Sequence, residues 1–167
     1  MKQHRLLVPS KGTDFSHLQP GDKVLLSGVI HTARDQAHQR LVELISRNES
    51  LPFDLANTAL FYCGPSPTPP GKVCGAIGPT TSSRMDPYTV PLLEQGLKIM
   101  IGKGERSADV ETAIKKYGAL YLVCCGGTSA LLAQTVISFD LFAWPELGAE
   151  AIYRLEVKDL PCYVAIR

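Results

Sequence analysis

What this chain lacks narrows its function first. No apolar run reaches the roughly 20 residues of a transmembrane helix, so no membrane partner is expected. The formal net charge is +1, which gives neither nucleic acid nor an anionic membrane surface an electrostatic foothold. The opening residues Met1-Lys2-Gln3-His4-Arg5 hold no apolar segment with a small-residue cleavage site, and a cytoplasmic protein is expected. There is no Walker A loop and no G-x-G-x-x-G string, which removes two common nucleotide-binding signatures. The five cysteines, Cys63, Cys74, Cys124, Cys125 and Cys162, are odd in number and never spaced C-x-x-C. That argues against a disulfide framework and matches no zinc or ferredoxin ligand pattern. They read as small buried hydrophobes, with Cys124 and Cys125 pointing to opposite faces of a strand end.

What is there is an ordinary globular composition: 167 residues, 45% hydrophobic and 20% charged. A single domain over 1–167 is expected, large enough to bury a core without disulfides or metal. Apolar runs at 5–9, 23–30, 58–63, 73–77, 97–101 and 119–124 read as strands. Helical spacing marks 34–47, with Ala37, Leu41, Leu44 and Ile45 on one face. It also marks 108–117, with Ser107 as N-cap and Gly118 as stop. A further apolar helix is expected from Gly126-Gly127-Thr128-Ser129 to about 135, and a proline-rich surface loop at 66–71. Two closing strands, 151–157 and 162–166, are expected around a turn at 158–161. The alternation of strands and helices with extra strands gives an α/β fold with a mixed sheet flanked by helices.

The chemistry concentrates at junctions that follow a strand and precede a helix: 32–35, 80–84, 103–107 and 126–129. Ligands in α/β sheets gather outside the carboxyl ends of strands, where helix starts also offer free N–H groups to anions. The junctions carry Arg34, Arg84, Lys103 and Arg106, a candidate pocket for a small polyanion. Asp35, Asp86 and Glu105 lie close enough in sequence to neutralise them as ordinary ion pairs instead. Arg34 stands in the first turn of its helix, where a cation opposes the helix dipole by ~0.3–1 kcal/mol. A residue that breaks a local rule is a candidate for function. Thr32 and Asp35 have the spacing of a capping box, with Asp in place of Glu. His38 shares a helix face with Arg34 and reads either as a ligand- or partner-facing group or as a satisfied structural histidine. Gly102-Lys103-Gly104 by itself is a tight turn as readily as a site. The string Gly78-Pro79-Thr80-Thr81-Ser82-Ser83-Arg84-Met85-Asp86 sets four hydroxyls beside a guanidinium, which suits a capped turn or a bound anion.

That string, GPTTSSRMD, resembles the GPTT-x-x-RM signature of the class I iron–sulfur fumarase and L(+)-tartrate dehydratase family, in its beta subunit or C-terminal domain. The segments 28–40 (GVIHTARDQAHQR), Tyr62-Cys63-Gly64-Pro65, Gly102-Lys103-Gly104 and Cys125-Gly126-Gly127 agree with it, so the resemblance runs from about Pro20 to Trp144. It implies a compact swivelling β/β/α domain. It also implies a hydro-lyase that reversibly adds water at a C4 dicarboxylate, fumarate/malate first and tartrate second. The resemblance implies a [4Fe-4S] cluster carried by a partner alpha subunit, with no metal held by this chain, and hence a hetero-oligomer. Carried over by motif, Arg34, Arg84 and Lys103 would bind substrate carboxylates and Thr80 would help move the proton beside one of them. Gly78 and Thr81 would donate hydrogen bonds. A threonine hydroxyl is a weak base and needs an activating neighbour, either Asp86 or a residue of the other chain. His38, Asp86 and Arg106 stand as further candidates. The sequence departs from longer family members in its short 67–71 loop and in ending at Arg167, which bears on substrate choice. The alternative is a non-catalytic dicarboxylate-binding or assembly module that keeps the pocket.

Overall fold

A computed structural model of the chain describes residues 1–9 and 12–167. These form strands β1 (Gln3–Val8), β2 (Lys23–Thr32), β3 (Ala59–Phe61), β4 (Ile99–Gly102), β5 (Leu120–Val123), β6 (Val136–Ala143) and β7 (Ile152–Ile166). The helices are α1 (Asp35–Ser46), α2 (Asp86–Glu94), α3 (Ala108–Lys116) and α4 (Ser129–Ala133). The strand order is β1-β2-β3-β4-β5-β7-β6, with β2 also paired to β7. Strands β1 to β5 pair in parallel, whereas β7 runs antiparallel to β2, β5 and β6. Because β7 holds both β2 and β5, the mixed sheet closes on itself.

Closure explains why the central strands are apolar on every residue. Ala59 and Phe61 face an inner core with Val24, Leu26, Ile30, Ile101, Leu122 and Leu155. Leu60 and Tyr62 face an outer core with Ala37, Leu41, Leu92, Val110 and Ile114, where α1, α2 and α3 cover the sheet. Alternate residues of one strand thus enter two different cores, and a strand buried on both faces shows no polar alternation. Helix α1 buries Ala37 and Leu41, one turn apart, and α3 starts as its sequence specifies, with the Ser107 hydroxyl accepting from the Val110 N–H at 3.3 Å. Among the described residues, no helix is long and apolar enough to cross a membrane.

Four local expectations are corrected. Residues 73–77 are irregular rather than a strand, although Cys74, Gly75 and Ile77 are buried. Their backbone is satisfied locally: Ser66 donates to the Ala76 carbonyl at 3.0 Å, and Ile77 donates to the Ser129 carbonyl at 3.3 Å. The two expected closing strands are one continuous β7, in which Asp159 takes φ +55° and its N–H donates to the Ser27 hydroxyl at 2.9 Å. A satisfied kink carries the strand through Pro161 where the composition indicates a turn. The helix expected to reach 135 ends at Ala133, and 136–143 form the edge strand β6. Thr32 and Asp35 make no capping box: the Thr32 hydroxyl faces β7, donating to the Ala151 carbonyl at 3.4 Å and accepting from the Tyr153 N–H at 3.0 Å. Arg34 takes the N-cap position of α1, with no side-chain cap bond among the described residues.

Gly28 marks the bulge where β2 shifts register against β7. It has φ +115°, and a Cβ there would stand 1.9 Å from the Val8 carbonyl oxygen. Gly28→Ala therefore strains φ and forces β1 from β2. We expect a loss of about 2–4 kcal/mol in chemical denaturation; an unchanged midpoint would contradict the packing of β1 described here.

Candidate active site

The parallel strands β2 to β5 end along one edge, and residues 78–85 cross it. The Thr80 N–H donates to the Tyr62 carbonyl at 2.7 Å, just beyond β3. The Ser82 N–H donates to the Lys103 carbonyl and the Lys103 N–H donates back to the Ser82 hydroxyl, each at 3.0 Å. Bridges pair Cys63 with Pro79 and Thr81 with Lys103. At the far end Gly78 lies against Ser129 at the start of α4, where a Cβ would meet the Ser129 hydroxyl at 2.0 Å. Only glycine permits that approach. One segment is thus stitched to the junctions at 62–64, 102–104 and 126–129.

A short 3-10 turn, Ser82–Met85, then carries Arg84 toward the remaining junction. Its Nε donates to Asp35 Oδ1 at 3.1 Å. Its Nη2 is 3.0 Å from Asp35 Oδ2, close enough for ion pairing but off the line of a hydrogen bond. Arg34 Nε lies 4.0 Å from the same oxygen. Two guanidinium groups therefore meet around one carboxylate. The Arg34 side chain lies over Gly64, where a Cβ would stand 2.8 Å from Nη1, and its Nε is buried without an acceptor among the described residues. An orphaned buried donor costs about 1–3 kcal/mol, more when charged, and a bound anion offsets that cost. Thr81, Ser83, Arg84 and Lys103 are exposed at the rim, and Gly78 and Thr80 are half-buried.

Three sequence candidates lie beneath this rim rather than on it. His38 is fully buried, and its backbone N–H and Nδ1 both lie 2.9 Å from the Arg34 carbonyl. A carbonyl only accepts, so Nδ1 carries the proton, which fixes the tautomer and the backbone of Arg34. Its Nε2 is buried without a partner among the described residues, and its ring meets Tyr62 at 5.1 Å. Arg106 is buried in an ion pair with Asp86, its Nε donating to Asp86 Oδ1 at 2.6 Å. The other Asp86 oxygen accepts from the Ser107 N–H at 2.7 Å. Sequence reasoning missed Ser82, Tyr62 and Tyr121, whose hydroxyl donates to the Gly104 carbonyl at 2.8 Å. The only signal for the first two was their place inside the matched segments, and Tyr121 carried none.

The cysteines do not suit an iron–sulfur cluster. Cys63, Cys74, Cys124 and Cys162 are buried and only Cys125 is exposed. Burial pushes the Cys63 thiol up to about 12. Cys124 and Cys162 stand Sγ to Sγ at 3.5 Å, and their contact together with burial raises the Cys162 thiol well above its usual range. Among the described residues no three His, Cys, Asp or Glu side chains group to hold a metal ion.

Fold and edge together define a mixed α/β domain with a cationic site at the carboxyl ends of its parallel strands. The profile of the family described as "Fumarase C-terminus" matches residues 3–167, and the chain belongs to that family. It is 42% identical over 146 residues to the aerobic class I fumarate hydratase of Escherichia coli strain K12, a match covering 86% of this chain and 27% of that protein. It is 38% identical over 159 residues to a putative L(+)-tartrate dehydratase subunit beta of Methanocaldococcus jannaschii, covering 92% of this chain and 82% of that one. The L(+)-tartrate dehydratase subunit beta of Escherichia coli is 34% identical over 166 residues, with 96% and 81% covered. The chain spans about a quarter of the length of the fumarate hydratases it matches.

Burial lowers His38 from its ordinary 6.5 to about 4. It does the same to His31, stacked on Phe53 at 4.7 Å. Each folded-state value lies below the unfolded one, so the unfolded chain binds more protons between them. The stability these groups contribute is complete above pH 6.5 and is lost as pH falls toward 4. His31→Phe is expected to flatten the slope of unfolding free energy against pH in that window. A variant with the wild-type slope would contradict the buried neutral imidazole.

Proposed function

We propose that this chain, taken as one domain over 1–167, is the beta part of a hydro-lyase acting on a C4 dicarboxylate, fumarate/malate first and tartrate second. The observation that carries the reading is the meeting of Arg34 and Arg84 around one carboxylate, with Arg34 Nε left without an acceptor among the described residues. Asp35 holds the two guanidinium groups together when no diacid is bound. A substrate carboxylate brings a second anion to a site with two such forks, each suited to carboxylate geometry. Lys103, whose backbone is bridged to Thr81, supplies a third positive contact toward the other end of the diacid.

Hydration of a diacid alkene adds a proton beside one carboxylate and a hydroxyl at the neighbouring carbon. In this chain the proton beside the carboxylate falls to Thr80, with Gly78 and Thr81 as hydrogen-bond donors. The activating base comes from the companion chain, because both oxygens of Asp86 are engaged by Arg106 and Ser107. The residues of this chain do not fit a [4Fe-4S] cluster. We assign any cluster to a companion alpha subunit and route no step through it here. The names of the beta-subunit relatives and the one-quarter coverage of longer fumarate hydratases support a hetero-oligomer in which this chain completes a shared site.

The test is reconstitution with the companion alpha chain under anaerobic conditions, assaying hydration of fumarate and dehydration of tartrate. Arg84→Ala is expected to lower kcat/KM by on the order of 100-fold or more, the loss of a charged contact. Arg84→Ala with unchanged kcat/KM would remove the clamp assignment. A Thr80→Val complex that binds its partner and hydrates at the wild-type rate would favour the non-catalytic binding module.

A further inference from the structure

We propose that Arg106 is the positioning residue of this site: its buried guanidinium locks the segment carrying Thr80 and Arg84 to the loop carrying Lys103. The proposal rests on the function argued above. All three guanidinium nitrogens of Arg106 are engaged, two of them on α2 just after Arg84. Its Nε donates to Asp86 Oδ1 at 2.6 Å, Nη2 to the Thr89 hydroxyl at 2.6 Å, and Nη1 to the Tyr62 hydroxyl at 3.3 Å. The guanidinium lies over the rings of Tyr62 and Tyr121, with centroids at 5.3 and 5.0 Å. Its side chain has no solvent exposure.

Asp86 closes the link. It starts α2 two residues after Arg84, and its second oxygen accepts from the Ser107 N–H, so one carboxylate holds both loops. On the Lys103 side, the Tyr121 hydroxyl holds the Gly104 carbonyl at 2.8 Å and Ser82 holds the Lys103 amide at 3.0 Å. The cations at the rim are half-exposed or exposed on long side chains, and their spacing is set by these backbones.

Stability alone does not account for a buried charge here. Replacing a buried ion pair by apolar residues of similar volume is often neutral or stabilising, whereas removing one partner is costly. What the pair adds is one fixed geometry, from a planar fork that lysine lacks. A shift of about 1 Å in a group that grips substrate costs on the order of 100-fold in rate.

The experiment uses the complex assembled with the companion chain, at a temperature where thermal melts show every variant folded. Arg106→Gln and Arg106→Lys are each expected to lower kcat/KM by on the order of 100-fold, with the lysine giving no rescue. In an Arg84→Ala, Lys103→Ala background the same changes are expected to cost at least about tenfold less than in the wild-type complex, because only Thr80 is left to position. Full additivity in that background, rescue by lysine, or a lowered melting temperature with unchanged kcat/KM would each overturn the proposal. Tyr121→Phe deletes only the hydroxyl on Gly104 and keeps the ring. It is expected to raise KM, and wild-type kinetics would count against the link. Amide hydrogen exchange judges the link independently of turnover. In Arg106→Gln the amides of Ser82, Lys103 and Ser107 are expected to lose protection together while β4 keeps its own; protection lost at Ser107 alone would overturn the proposal. A wild-type complex that hydrates no C4 diacid would refute the functional reading, and the exchange result would still decide the link.

Discussion

Three amide hydrogen bonds along the carboxyl edge of the sheet carry the rest of the site: Thr80 to the Tyr62 carbonyl, Ser82 to the Lys103 carbonyl, and Lys103 to the Ser82 hydroxyl. They turn an irregular, proline-containing segment into an addition to the parallel sheet. Strands β3 and β4 are pinned from both sides by buried side chains, so the backbone groups at their ends are fixed in space. The crossing segment inherits that rigidity and brings Thr80 and Arg84 to the edge. This is the general placement of sites in α/β folds, with the scaffold rigid and the chemistry on the loops.

Charge is managed in two layers. At the rim, Arg34 and Arg84 share Asp35, all three side chains being partly exposed although Arg34 Nε and Asp35 Oδ2 themselves are buried. Such partly exposed pairs are individually weak, as the proposed replacement of Asp35 by a substrate carboxylate requires. Beneath the rim, Arg106 and Asp86 are enclosed by Tyr62, Tyr121 and Thr89. There the low dielectric makes an unpaired group costly, so the arrangement has one geometry. His38 belongs to this lower layer: held neutral by burial, it adds no charge to the site while it fixes the carbonyl of Arg34.

Much of this was legible in the sequence where a local rule and the fold agree. Helices α1 and α3 follow their apolar spacing, Ser107 caps as its type requires, and the all-apolar strands anticipate burial on both faces. The segments after β2, β3, β4 and β5 came together because each follows a strand of one parallel set, whereas 78–86 follows no strand and reaches that edge through its bonds to Tyr62 and Lys103. What was not legible depended on where backbone hydrogen bonds go. Residues 73–77 are as apolar as a strand, yet their partners are Ser66 and Ser129 rather than a ladder. The 158–161 segment carries turn residues, yet Ser27 satisfies its kink and β7 continues. Arg106 looked like a fourth rim cation because sequence spacing does not tell a residue pointing outward from one folded back onto Asp86. The capping box at Thr32 failed because β7, distant in sequence, claimed the hydroxyl first.

The proposed function requires the cations at this edge to form one grip for a diacid. The most direct measurement is an anaerobic crystal structure of the chain assembled with its companion and soaked with malate. The account predicts one malate carboxylate within hydrogen-bond distance of both Arg34 and Arg84, with Asp35 displaced from between them, and the other carboxylate reaching Lys103. Malate bound elsewhere, with the Arg84–Asp35 pair intact and no contact to Arg34, would contradict it.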